Sequence, residues 1–273
     1  MEISPEKLDM LVERINTLYV SYRKKYVLCL PGGRLVTPKR KGELYSVLTS
    51  NVLKNHLMQK YAIAIFAGSK TSRFVCFDVD DGKKETVTGI VNALAEIGFP
   101  REHVYVSYSG GKGYHVEMFF DQLVSTGRLK DLYARMLEIT GFTERQVEFR
   151  PTHGSAIKLP LSVHARTGNM CWFADRDTLE LIERYDYLFE IEQIPAILLE
   201  RIVPIQPVKK TSGREICRDH AMREHSYPNE IPVPDQTDDH YDVQAVGTRH
   251  NLMRKKAVHM RLTGKSRASC EKA

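Results

Sequence analysis

Apolar side chains along this chain recur with two different spacings, which together predict a mixture of helices and strands. A recurrence every three to four residues predicts helices at 4–22, 49–57, 87–97, 125–140 and 178–202, the last broken near Pro195. Short apolar runs predict strands at 62–66, 74–80, 104–109, 115–120, 147–150 and 156–161. Strand 74–80, helix 87–97 and strand 104–109 form a candidate right-handed crossover in a layered fold.

The composition divides the chain into three segments. Residues 1–205 carry the periodic apolar pattern and are predicted to form one domain, with a helical region over 1–60. Residues 206–242 are rich in proline and charge and are interpreted as a linker. Residues 243–273 hold many basic residues against Glu271 alone, and their pattern predicts a basic helical C-terminal segment.

Two aspartates lie at the end of the most apolar predicted strand. Asp78 and Asp80 follow the run 74–77 and are separated by one residue. Because side chains alternate across a strand, both carboxylates project from one face, with Cα atoms roughly 6–7 Å apart. They could hold one divalent cation together. An ordinary acidic turn after a strand is the competing interpretation.

A glycine-rich hairpin tip follows the next predicted strand. Residues 109–115 read Ser-Gly-Gly-Lys-Gly-Tyr-His. Glycines leave backbone N–H groups uncovered, so the tip could bind an anion, with Lys112 adding charge. Ser109 and His115 flank the tip and could reach the same oxyanion. A flexible turn with an incidental lysine remains the alternative.

Composition and charge narrow the function classes only slightly. The formal net charge is +6 and the isoelectric point is near 9.0, which permits a nucleic-acid partner without requiring one. The apolar runs are shorter than the roughly 20 residues that cross a bilayer, and the N-terminus has no signal-peptide pattern. We therefore expect a cytoplasmic protein with no membrane partner. The five cysteines lack a CxxC pair and give no zinc signature.

Taken in order, the Asp-x-Asp strand, the Ser-Gly-Gly-Lys-Gly-Tyr-His hairpin and a later strand with one carboxylate resemble the archaeo-eukaryotic primase superfamily, in particular primase-polymerases of mobile elements and defence systems. The resemblance covers roughly residues 48–175. It implies an α+β catalytic core, with a mixed or antiparallel sheet, an RRM-like half and helices packed on it. The tail around Gly247 to Leu252 resembles a portion of the helical primase C-terminal module, which suggests a fragment of a longer protein.

The resemblance also implies roles for particular residues. The catalytic and metal-binding set is Asp78, Asp80 and Glu148, which would hold Mg²⁺ or Mn²⁺; the family usually has Asp at the third position. The nucleotide-binding set is Ser109, Gly110, Gly111, Lys112, Gly113, His115, Lys158, His164 and Arg166. The implied partners are single-stranded DNA template or primer-template, NTPs or dNTPs, and a helicase domain or subunit.

The implied activity is template-directed nucleotidyl transfer by a DNA primase-polymerase. One alternative is a gap-filling or end-extending polymerase that cannot start a chain. Another is a non-catalytic replication-initiation module that binds DNA through its basic surface. A phosphatase of the haloacid dehalogenase type also begins with a strand and two aspartates, but Lys83 follows Gly82 where that class usually has Thr, and the hairpin stays unexplained.

Overall fold

The computed structural model describes residues 3–203 and 242–245. Its helices are α1 Pro5–Tyr19, α2 Ser50–Leu57, α3 Lys84–Ile97, α4 Thr126–Thr140, α5 Tyr187–Glu190 and α6 Ala196–Ile202. Its strands are β1 Tyr26–Leu30, β2 Arg34–Lys39, β3 Ala62–Ile65, β4 Thr71–Val79, β5 Tyr105–Tyr108, β6 Tyr114–Ser125, β7 Val147–Arg150, β8 Ile157–Lys158, β9 Phe173–Ala174, β10 Leu181–Ile182 and β11 Asp242–Ala245. Among the described helices, none has the length and apolar character needed to span a bilayer.

The strands form two antiparallel sheets, which confirms the α+β prediction. The first sheet has the order β11-β2-β1-β3-β8, and the second has the order β10-β9-β5-β6-β4-β7. Every named pair in both sheets is antiparallel. Strands β4 and β5, the two ends of the predicted crossover, are separated by β6, which pairs with both.

The two faces of the second sheet pack against different layers. On one face, alternate residues of β4 such as Val75 and Phe77 join a core with α3 and α4. On the opposite face, Phe74 and Cys76 join a second core with α1 and the first sheet. The rings of Tyr19 and Phe119 lie 4.9 Å apart edge to face, and this cluster fixes α1 over the centre of the second sheet. Continuous apolar runs in β4 follow from burial on both faces.

Several predicted helix ends are confirmed. Ser4 caps α1 by accepting a hydrogen bond from the Lys7 amide, and Thr49 caps α2 in the same way from the Val52 amide. Helix α3 ends at Gly98, whose φ of 118° is a conformation that glycine tolerates best.

Two stretches differ from the sequence prediction. The segment 1–60, predicted as helical, also contains the β1–β2 hairpin, because the apolar run of β1 is followed by a tight turn. Residues 178–190 do not form a long helix. The Asp175 carboxylate accepts hydrogen bonds from the Asp177 and Thr178 amides, and this turn directs β10 back onto β9.

The predicted linker and C-terminal segment can be compared with the structure only over residues 242–245. The linker over 206–242 and the basic helical segment over 243–273 lie outside the described residues, apart from 242–245. Those four residues form β11, which pairs with β2. Residues 243–245 are therefore strand rather than helix.

Candidate functional site

Three predicted site residues meet on one face of the second sheet, at the end of β4. Asp78 pairs across β4 and β6 with His115, and across β4 and β7 with Glu148. Directly opposed residues of neighbouring strands point to the same side, so the three side chains lie in a row. The His115 Nε2 atom lies 3.7 Å from Asp78 Oδ1. Asp80 is exposed and follows directly after the last residue of β4.

The carboxyl groups of Asp78 and Asp80 have raised pKa values. The Asp78 side chain is only 17% exposed, and burial is the main reason that its pKa is raised to about 6, with Glu148 adding repulsion. The pKa of Asp80 is also raised, first by burial and then by Asp78 and Glu148. Arg150 forms an ion pair with Glu148 and lowers the pKa of Asp78 more strongly than Glu148 raises it. A cation among these carboxylates would stabilise their charged forms further.

The oxygen donors suit a hard divalent cation in type, although the carboxylates of Asp78, Asp80 and Glu148 do not form a group with ligand atoms within 4.8 Å of one another among the described residues. Asp78, Asp80 and Glu148 offer carboxylate oxygens, which Mg²⁺ and Mn²⁺ prefer. Placement supports such a fit, because Glu148 is directly opposed to Asp78 across β4 and β7 and Asp80 follows Asp78 by two residues. The neighbouring His115 is buried, and burial lowers its pKa to about 3, so its imidazole is neutral beside the acidic row.

The glycine-rich tip packs directly against the acidic end of β4. Ser109 Oγ accepts hydrogen bonds from the amides of Gly111 and Gly113, at 3.5 and 3.2 Å. A Cβ atom on Gly113 would lie 2.1 Å from the Val79 carbonyl oxygen, so only glycine allows this approach. Within the described residues, the Gly110 and Lys112 amides have no acceptor. Of these two residues Gly110 is buried and Lys112 is exposed, so the Lys112 amide is the one better placed to meet an anion.

The far side of the tip is fixed by the segment that follows β8. The Gly110 carbonyl oxygen accepts hydrogen bonds from Thr167 Oγ1 at 2.6 Å and from Asn169 Nδ2 at 3.2 Å. Gly110 has a φ of 83° and lies against the His164 ring, where a side chain would collide. The tip is therefore a held loop, in contrast to the flexible turn considered as an alternative.

The predicted basic residues lie at different depths. Lys158 extends from β8 of the first sheet, donates to the Ser109 carbonyl oxygen and lies 3.0 Å from Cys171 Sγ. Its charge acts on the pKa of both Asp78 and His115, which places it beside the acidic row. His164 is half-buried against the tip. Exposed Arg166 packs over Gly33 of the β1–β2 turn, and Lys112 is exposed at the tip itself.

Sequence reasoning missed a buried polar network behind this row. Glu117 is fully buried; its Oε2 accepts hydrogen bonds from Tyr19 Oη at 3.1 Å and from Ser107 Oγ at 3.2 Å. Burial raises the pKa of Glu117 to about 8. One ligand atom each from Cys76, His115 and Glu117 lie within 4.8 Å of one another. The alternation of a strand was the available signal, because Glu117 follows His115 by two residues.

The family of the chain follows from comparison with known proteins. The family model described as the archaeo-eukaryotic primase domain of TOTE conflict systems matches residues 19–202. The chain belongs to this family of archaeo-eukaryotic primase domains, which confirms the resemblance and extends it beyond 48–175. Members of the family are nucleotidyltransferases of the primase and polymerase class. Among curated proteins, no significant match is found.

Two solved structures are similar to this chain. One is the archaeo-eukaryotic primase domain of the cyanophage S-2L primase-polymerase, at 17% identity, covering 72% of this chain and 97% of that one with a TM-score of 0.44. The other is the polymerase domain of Mycobacterium tuberculosis ligase D in complex with DNA. It has 14% identity, coverage of 69% and 88%, and a TM-score of 0.41.

Proposed function

We propose that this chain is a metal-dependent, template-directed DNA primase-polymerase that synthesises or extends strands on single-stranded DNA. The observation that carries the proposal is the row Glu148, Asp78 and His115 across three neighbouring strands, with the glycine-rich tip packed against it. Pure DNA binding would not require a mostly buried carboxylate such as Asp78, held at a raised pKa at the end of a core strand.

The site residues have separate roles in the proposed nucleotidyl transfer. Asp78, Asp80 and Glu148 would hold Mg²⁺ or Mn²⁺, and ions bound there would stabilise the attacking 3′-hydroxyl and the leaving pyrophosphate. The glycine-rich tip, through the Lys112 amide, which has no acceptor among the described residues, and the Lys112 side chain, would donate to the phosphates of an incoming NTP or dNTP. His115 Nε2 faces the same space from β6.

In this proposal Lys158 supports the glycine-rich tip, whereas the resemblance implies that it contacts the nucleotide directly. Its ammonium group donates to the Ser109 carbonyl oxygen and thereby supports the tip from behind. It also contributes positive charge to the site from the first sheet. Arg166 remains a candidate contact for the nucleotide triphosphate, whereas the template would be bound by exposed lysine and arginine side chains through its phosphates, so template binding should weaken with salt and show little sequence preference.

The direct test is incorporation of labelled nucleotides on single-stranded DNA, with and without a primer, in Mg²⁺ and in Mn²⁺. We expect primer-free products that disappear in an Asp78→Ala, Asp80→Ala double variant. Products that form only from a primer would instead identify an extending polymerase. If no condition gives products while the protein still binds DNA, the chain is a binding module and the proposal fails.

The raised pKa of Asp78 leads to a prediction about pH. A proton competes with the cation for this carboxylate, and the pKa is about 6 in the metal-free protein. Mn²⁺ affinity should therefore be full above that value and fall by about tenfold between pH ~7 and pH ~5. Calorimetric titration with Mn²⁺ at several pH values measures this, and an Asp78→Asn variant should bind weakly without this pH dependence. Equal wild-type affinity across the range would exclude Asp78 as a ligand.

A further inference from the structure

Two buried polar atoms that have no hydrogen-bond partner within the described part of the chain lie on β6, one in His115 and one in Glu117. The Oε2 atom of Glu117 is occupied by the hydroxyls of Tyr19 and Ser107, but its Oε1 atom has no hydrogen-bond partner among the described residues. The Nδ1 atom of His115 is also buried and has no partner there. His115 is 4% exposed and Glu117 is 0% exposed, so bulk water cannot satisfy either atom.

These two atoms belong to neighbouring side chains on one face of β6. A ring nitrogen of His115 and a carboxylate oxygen of Glu117 lie within 4.8 Å of each other, with Cys76 Sγ inside the same limit. A hydrogen bond between Nδ1 and Oε1, made directly after a side-chain rotation or through one bridging water, would satisfy both unpartnered atoms. The opposite ring nitrogen, Nε2, faces Asp78 Oδ1 at 3.7 Å.

We propose that Glu117 is a positioning residue for His115. A proton shared between Glu117 Oε1 and His115 Nδ1, directly or across one water, would keep the N–H on Nε2 and aim it at a phosphate oxygen of the incoming nucleotide. The inference deepens the proposed function, because it rests on the phosphates binding between the tip and the acidic row.

The direction of the N–H follows from geometry. If Glu117 carries the proton and donates it to Nδ1, the neutral imidazole must hold its own hydrogen on Nε2, which is then a donor. In the other tautomer an ionised Glu117 would accept from Nδ1–H, and the Nε2 lone pair would face Asp78 Oδ1 and any phosphate oxygen bound there, which is repulsive.

The three buried side chains could instead hold a metal ion. Cys76, His115 and Glu117 offer one thiol, one imidazole and one carboxylate, a softer set than the acidic row. The two hydroxyls on Glu117 Oε2 and the burial of all three groups favour a hydrogen-bonded network over an ion site. Elemental analysis of the purified protein distinguishes the two.

A second buried histidine provides an internal reference for the experiment. His56 Nδ1 lies 3.2 Å from the Ile63 amide, which donates to it, and His56 Nε2 lies 2.9 Å from the Pro160 carbonyl oxygen. His56 must therefore carry its hydrogen on Nε2. In ¹⁵N-resolved spectra of the imidazole rings of the full chain, we expect His115 to show the same Nε2–H pattern as His56.

Variants at Glu117 test the cause of that pattern. Glu117→Gln keeps the shape and can donate to Nδ1, so the His115 pattern and the kinetics should stay close to wild type. Glu117→Met removes the polar partner and leaves only Asp78 Oδ1, 3.7 Å from Nε2, to favour one tautomer, so the share of Nδ1–H in His115 should rise while His56 is unchanged. In the incorporation assay, KM for the nucleotide should rise about tenfold in Glu117→Met with a smaller change in kcat.

A matched control separates positioning from simple destabilisation. Ser107→Ala removes one hydroxyl from Glu117 Oε2 but leaves Oε1 and Nδ1 in place. It should lower the melting temperature without changing the His115 ring pattern or KM.

Three results would each overturn the inference: an Nδ1–H pattern in the wild-type protein, an unchanged pattern in Glu117→Met, or one equivalent of bound metal that is lost in Glu117→Gln. The wild-type spectrum decides even if Glu117→Met does not fold. Absence of wild-type incorporation would reject only the proposed function.

Discussion

An Asp80→Ala variant is expected to lose at least about a thousandfold in the rate of nucleotide incorporation while keeping its fold and its affinity for single-stranded DNA. Asp80 is exposed, and its carboxylate accepts no hydrogen bond from the described residues, so its removal breaks no buried interaction. The residue is one of three carboxylates in the proposed metal site, and the loss of one ligand from such a site damages chemistry more than folding. Single-turnover incorporation, thermal unfolding and DNA-binding anisotropy measure the three quantities separately.

The neighbouring aspartate is a matched control. Asp81 accepts hydrogen bonds from the Lys83 amide at 2.9 Å and from Thr86 Oγ1 at 2.8 Å, so it serves the start of α3 rather than the acidic row. Asp81→Ala should lower the free energy of unfolding by about 1 kcal/mol and leave incorporation nearly unchanged. Full activity in Asp80→Ala, or equal loss in both variants, would contradict the assignment of Asp80 to the metal site.

A Gly113→Ala variant should lose about a hundredfold in incorporation and about 1–3 kcal/mol in stability. The added methyl group would lie 2.1 Å from the Val79 carbonyl oxygen and 3.3 Å from Asp80 Cα, both on the backbone. Because the backbone of a buried strand cannot yield, the hairpin tip must move away from the acidic row. The phosphates and the metal ligands would then no longer be held in one geometry.

Gly154→Ala is the corresponding control, since a Cβ atom there meets no atom within 4 Å and the residue does not have a positive φ. It should change neither stability nor activity by a measurable amount. A fully active and fully stable Gly113→Ala protein would show that the close approach of the tip to β4 is not required for the reaction. Denaturant titration alongside incorporation kinetics decides the question.

The acidic pair and the hairpin were predictable because the alternating pattern of a strand can be read from a few consecutive residues. Asp78 and Asp80 follow one apolar run, and the tip lies between two others, so their chemistry is readable within a few residues. That Glu148 pairs directly with Asp78 required knowing which strand lies beside β4. The resemblance supplied Glu148 as a candidate, but the register between β4 and β7 depends on tertiary packing.

Lys158 and Glu117 show why the rest of the site was harder to predict from the sequence. Lys158 reaches Ser109 from the other sheet, and no local pattern encodes a contact across 49 residues. Glu117 reads as an ordinary polar residue in a strand, yet it is fully buried because α1 supplies Tyr19 as a hydrogen-bond donor above it. Local sequence also misled at 178–190, where a turn formed by the Asp175 side chain outweighed the helical spacing of the apolar residues.

The carboxylates and the hairpin tip belong to the second sheet, whereas Lys158 arrives on β8 at an edge of the first sheet. The support behind Ser109 therefore exists only while the two sheets are packed against each other. A substitution that loosens this packing far from the acidic row would leave Asp78 and Glu148 paired across β4 and β7 but release the tip, so it would weaken nucleotide binding before metal binding.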